Sequence, residues 1–112
     1  MVTPEMLLFL AGRVGLERPY ICTEAGIEGK VAYGIGGYCI FNPATDDAQF
    51  GRLVVWVTMQ GRGVTMTNES CCCYLTDDWT TEQWADHDNT PDSIRAAAVV
   101  AICKSLGYGE KE

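Results

Sequence analysis

The stretch TMTNESCCCYL, residues 65–75, decides how the chain is read. Three consecutive cysteines point either to a metal or redox centre or to a strand built from small side chains. Asn68-Glu69 lies between two runs of strand-forming residues and reads as a two-residue hairpin loop. That turn sets a register in which Thr67 faces Ser70, Met66 faces Cys71, Thr65 faces Cys72 and Val64 faces Cys73. Directly opposed residues share a face. Met66 and Val64 are apolar, so Cys71 and Cys73 are expected on the buried side. Cys72 is expected with Thr65, Thr67 and Tyr74 on the more polar side.

The metal reading meets a spacing problem. Sulfurs on one zinc lie about 3.8 Å apart, whereas residues i and i+2 on a strand are about 6.6–6.8 Å apart. No Cys-x₂-Cys pair occurs, and His87 is the only histidine. Cys22, Cys39 and Cys103 stand alone in the sequence. Free cysteine behaves as a small buried hydrophobe, and no base is placed beside any thiol to activate it. We therefore expect no catalytic residue, no metal and no cofactor.

Outward from this hairpin the chain alternates helices with short strands. Thr3-Pro4-Glu5 and Thr90-Pro91-Asp92 each supply a capping hydroxyl, a proline for the first helical position and an early carboxylate. A third start has Thr45 ahead of Asp46 and Asp47. These predict helices over 4–14, 46–60 and 91–106, with Gly15, Gly61 and Gly107 as left-handed stops. The middle one is rich in β-branched residues. Phe50, Leu53, Val54 and Val57 nevertheless fall at helical spacing. Strands are expected at 19–24, 30–33, 38–42, 62–67, 70–75 and 80–85, with a second hairpin on the glycines between Tyr33 and Tyr38. The fold class is α+β: a mainly antiparallel sheet with three helices packed on it.

From Ala96 to Cys103 the last helix is apolar around its whole circumference. A helix resting on one sheet needs only one apolar stripe. This one is covered on two sides by its own domain or meets a second copy in a homodimer.

The chain has 112 residues and a net charge of −7. One domain is expected, fraying from about residue 108. No apolar run reaches the roughly 18–20 residues that span a bilayer, and MLLFLAG has no basic residue before it, unlike a secretory signal. The expected location is the cytoplasm, where thiols stay reduced. The acidic balance disfavours nucleic acid, whose binders present basic faces.

The segment 74–93 carries Asp77, Asp78, Glu82, Asp86, Asp88 and Asp92 with no lysine or arginine, and also Tyr74, Trp79 and Trp84. Carboxylates interleaved with tryptophan suit an aromatic anchor with a charged rim. The expected partner is a protein with a basic surface, and the candidate contact residues are Asp77, Asp78, Trp79, Glu82, Trp84, Asp86 and Asp88. The bland alternative is a solvated loop whose tryptophans close over the core.

The segments FNPATDD, GRGVTMT, EQWADHDNTPDS and IRAAAVVAICKSLGY, over roughly residues 38–107, resemble the phage ABA-sandwich domain family. Its members close with an alanine-rich helix bearing an AICxA-like core. Here Ala101, Ile102 and Cys103 match, and Ser105 replaces the final alanine. The resemblance implies a layered α+β sandwich of bacteriophage or prophage origin, and it transfers no functional residue. The expected function is a non-enzymatic phage accessory protein that binds a host or phage protein, such as an inhibitor of a host defence system. The alternatives are a small metal- or ligand-binding domain using Cys, Asp and His, and a minor virion component.

Overall fold

The three expected helices form, the middle one starting one residue later than expected, behind Asp46 and not Thr45. A computed structural model describes residues 2–34 and 39–109. Helix α1 spans Pro4–Arg13, and its first turn is closed by Thr3 Oγ1, which accepts from the Met6 amide at 3.2 Å. Helix α2 spans Asp47–Met59. Its cap is Asp46, whose carboxylate accepts from the Gln49 amide at 2.9 Å. Helix α3 spans Pro91–Ser105, with Thr90 Oγ1 accepting from the Ser93 amide at 3.3 Å. Gly15, Gly61 and Gly107 have φ of 85°, 76° and 96°, the left-handed geometry that ends a helix and that glycine adopts at least cost. Leu53 and Val57 of the β-branched stretch are buried along one stripe of α2, so tertiary packing overrides their strand preference.

The strands divide into two antiparallel sheets, where one was expected. Sheet A comprises β1 (Tyr20–Ile21), β2 (Val31–Tyr33) and β3 (Cys39–Ile40). Sheet B comprises β4 (Arg62–Met66), β5 (Ser70–Leu75) and β6 (Asp78–Asp86). Helix α2 lies between them in the chain. The expected strand 19–24 shrinks because Gly26 and Gly29 take positive φ and fold the chain into a loop, closed by the Gly29 amide on the Cys22 carbonyl at 2.9 Å. Strands β2 and β3 pair through Ala32–Ile40 and Tyr33–Cys39. The glycine hairpin expected between Tyr33 and Tyr38 falls largely on residues 35–38, outside the described residues.

Sheet B has the expected register, with Met66 opposite Cys71, Thr65 opposite Cys72 and Val64 opposite Cys73. Neither Asn68 nor Glu69 has positive φ, so the turn is not one of the mirror-image types usual for two-residue loops. Thr67 stabilises it instead. Its Oγ1 accepts from the Glu69 and Ser70 amides at 3.3 and 3.0 Å, a side-chain substitute for backbone turn bonds.

Helix α3 is the centre of the packing. Residues 97–103 are all buried, with sheet B and helix α1 both lying against the helix. Leu7 and Leu10 of α1 share one core with Val99, Ile102 and Cys103 of α3, Val57 of α2 and Cys73 of β5. The apolar circumference of α3 is therefore covered within one chain, and the alanines let its neighbours approach. Tyr108 is not frayed as expected. Its ring meets Phe9 edge-on at 5.3 Å, and its amide donates to the Cys103 carbonyl at 2.9 Å.

Candidate functional site

The three cysteines of β5 alternate across sheet B as a pleated strand requires. Cys71 points into the helix side, where its thiol donates to the Ile94 carbonyl at 3.4 Å. Cys73 joins the main core beneath α3. Burial pushes both thiols above their ordinary pKa. Met66, expected to be buried opposite Cys71, is half-exposed at the turn end of β4. Among the described residues, no three His, Cys, Asp or Glu side chains are grouped to hold a metal ion.

Cys72 faces the other way, onto the open face of sheet B, yet is only 2% exposed. It forms part of the lining of a groove of about 410 Å³, whose other walls are Thr65, Tyr74, Thr76, Trp79, Glu82 and Trp84. Trp84 is its direct cross-strand neighbour. Trp84 Nε1 donates to Glu82 Oε2 at 2.9 Å, and the Cys72 thiol approaches the same oxygen at 3.8 Å. Burial first, and the Glu82 charge second, push the Cys72 thiol up. It remains a neutral donor, not a thiolate, and Glu82 supplies the charge of the groove.

Two local devices shape the walls. Gly63 of β4 lies opposite Tyr74. A Cβ at Gly63 would come within 2.7 Å of the outer Tyr74 ring atoms, so the missing side chain is what lets the ring lie across β4. The second device is a bulge. The β5–β6 ladder pairs Cys73 with Gln83 but Leu75 with Asp78, leaving extra residues on β6. The bulge is filled by side chains: Thr81 Oγ1 accepts from the Leu75 amide at 2.8 Å, and Asp78 Oδ1 accepts from the amide and hydroxyl of Thr80 at 3.0 and 2.6 Å. The Thr80 hydroxyl and then its amide hold the Asp78 carboxyl below its usual pKa. Trp79, carried by the bulge, is 76% exposed, and Trp84 is 45% exposed.

The seven expected contact residues therefore separate. Trp79, Glu82 and Trp84 line the groove, and Asp77 is exposed in the Thr76–Asp77 turn at the start of β6. Asp78 is committed to the bulge. Asp86 and Asp88 lie elsewhere, in a wider cleft between α1, β6 and α3 that Lys104 also lines. Asp88 organises the start of α3. Its carboxylate accepts from the Thr90 hydroxyl at 2.9 Å, while its amide donates to Ser93 Oγ at 3.0 Å. Bonding to Ser93, then to Thr90, lowers its pKa.

His87 is likewise structural. Thr67 O can only accept, so Nε2 donates to it, at 2.7 Å, and Nδ1 accepts from the Asn89 amide at 3.0 Å. Both ring nitrogens are thus used, which leaves neither free to ligate a metal or to act as a base.

Thr65, Thr76, Cys72 and Tyr74 belong to the groove but were not among the expected contact residues. The hairpin register did place Thr65, Cys72 and Tyr74 on one face. Thr76 follows Cys72 and Tyr74 at the same two-residue period; only the bulge, which the sequence does not advertise, brings Trp79 alongside them.

The chain matches no family model, no curated protein and no solved structure.

Proposed function

We propose that this is a non-enzymatic binding protein whose open sheet B face docks a basic protein partner, in the accessory role that the phage ABA-sandwich resemblance implies. One observation carries the reading: among the described residues, two tryptophans and a tyrosine stand around a carboxylate in a groove that no helix residue lines. Exposing an indole to water is unfavourable unless something covers it in use, and Trp and Tyr dominate the energetics of interfaces. The net charge of −7 steers a basic partner toward the protein at low ionic strength. A phage inhibitor of a host defence protein, working in the host cytoplasm, is the role that fits best.

Affinity capture from a bacterial host lysate tests it. Trp79→Ser removes an anchor that packs little in the folded chain, and Asp77→Lys reverses a charge beside it. Both variants should fold normally and lose the partner that the parent chain retains. Undiminished capture by both would refute the assignment of this face.

A further inference from the structure

We propose that the groove on sheet B seats one cationic side chain of the partner, an arginine whose guanidinium stacks on the groove's indole rings and pairs with Glu82. The proposal deepens the protein-binding reading and rests on it.

Charge complementarity selects the occupant. Among the described residues, no lysine or arginine lines the groove, and Glu82 makes no ion pair there. The nearby Lys104, on α3 at the other side of the sheet, donates to the Trp84 carbonyl at 3.2 Å. Glu82 is oriented and not free to wander, because Trp84 Nε1 and the Cys72 thiol both address Oε2. Oε1 is left for an incoming donor. The same Trp84–Glu82 bond fixes the indole, so ring and carboxylate are held as a unit before any ligand arrives.

Aromatic faces attract cations electrostatically, and tryptophan does so best. A guanidinium is planar and weakly hydrated, so it can stack and donate at once, which an ammonium cannot. The groove volume of about 410 Å³ falls in the range of side-chain and small-ligand pockets.

The test uses the full chain and a fluorescently labelled glycine–serine peptide carrying spaced arginines, read by anisotropy at low and moderate salt. The same peptide with citrulline removes the charge but keeps the shape. The arginine peptide should bind at least about tenfold more tightly than the citrulline peptide. Glu82→Gln keeps the bond to Trp84 and should weaken arginine binding about tenfold, while Trp79→Leu and Trp84→Leu should each weaken it about 3–30-fold. Circular dichroism and urea midpoints establish that each variant is folded; Trp79→Leu is the safest, being the most exposed. Equal binding of the citrulline peptide overturns the proposal. So does loss of binding on Asp77→Lys with Glu82→Gln and both leucine variants unaffected, an outcome that leaves a basic partner on this face but outside the groove. No binding of the arginine peptide, with lysate capture still dependent on Trp79, rejects the guanidinium and spares the protein-binding assignment. Loss of both rejects the two together.

Discussion

Replacing Arg95 by methionine should destabilise the protein by about 2–3 kcal/mol. Arg95 lies in the first turns of α3, and its side chain is only 15% exposed. One guanidinium joins three separate parts of the chain: its terminal nitrogens pair with Asp47 at the start of α2 and Asp92 at the start of α3, and Nε donates to the Ala44 carbonyl at 3.2 Å. The two carboxylates are 87% and 74% exposed, so solvent screening limits each pair to about 0.5 kcal/mol. The bond to Ala44 is different. Ala44 is a buried residue, and a charge-assisted bond to its partly buried carbonyl contributes about 1.5–2 kcal/mol. Methionine keeps much of the apolar stem, so packing loss is small. Urea denaturation followed by far-ultraviolet circular dichroism reads the change as a lower midpoint at constant slope, and a thermal scan should show a drop of roughly 10 °C. The decisive comparison is the double variant Asp47→Asn with Asp92→Asn. In that background Arg95→Met should still cost about 1.5 kcal/mol, since the carbonyl bond survives. If it costs nothing there, the ion pairs and not the carbonyl hold the junction, and the reasoning fails.

Further perturbations probe the other devices. Burial pushes the Cys103 thiol up to about 12 from an unfolded value of 9.0. Its contribution is therefore complete below pH 9 and lost as pH rises toward 12, by up to about 4 kcal/mol; urea midpoints of Cys103→Ala should fall less steeply over that window than those of the parent. The Asp88 carboxyl is depressed below 3.8. Its stabilisation is present above that value and disappears as pH falls through the lowered folded pKa, so Asp88→Asn should flatten the acid limb of the stability profile. Gly63→Ala should leave the melting temperature within a few degrees but displace the Tyr74 ring, since the new methyl would sit 2.7 Å from it; near-ultraviolet dichroism should change and arginine-peptide affinity should drop. His87→Ala removes the bonds to Thr67 and Asn89 and should cost about 1–2 kcal/mol by urea denaturation.

What the sequence disclosed follows from the range of the interactions involved. Thr-Pro-acid at residues 3–5 and 90–92 is a complete cap within one turn, so α1 and α3 start where it says. The Asn68-Glu69 turn and a two-residue side-chain period together fix which face each cysteine takes. Cys72 lay beyond that reach. Its polar-side position was legible, but its burial depends on Trp84 arriving from the next strand. The bulge was hidden too, because it rests on Thr81 reaching across to the Leu75 amide, a contact with no periodic signature. The anchoring of His87 has no local signal either, because its partner, Thr67, is twenty positions earlier. Asp88, grouped by charge with the groove residues, instead obeys a local signal: an aspartate two positions before a threonine bonds that residue's amide and hydroxyl.

The misregistered pairing between β5 and β6 also bears on how copies of this protein avoid one another. Strand β6 is a margin of sheet B, and a flat margin invites a stranger's backbone to zip onto it. Between Asp78 and Gln83 the main chain swerves, and the Asp78 carboxylate already takes the Thr80 amide of β6. The kink that leaves Trp79 exposed thus also spoils part of that margin as a template for fibrils, so the proposed docking surface and a safeguard against self-adhesion would come from one irregularity.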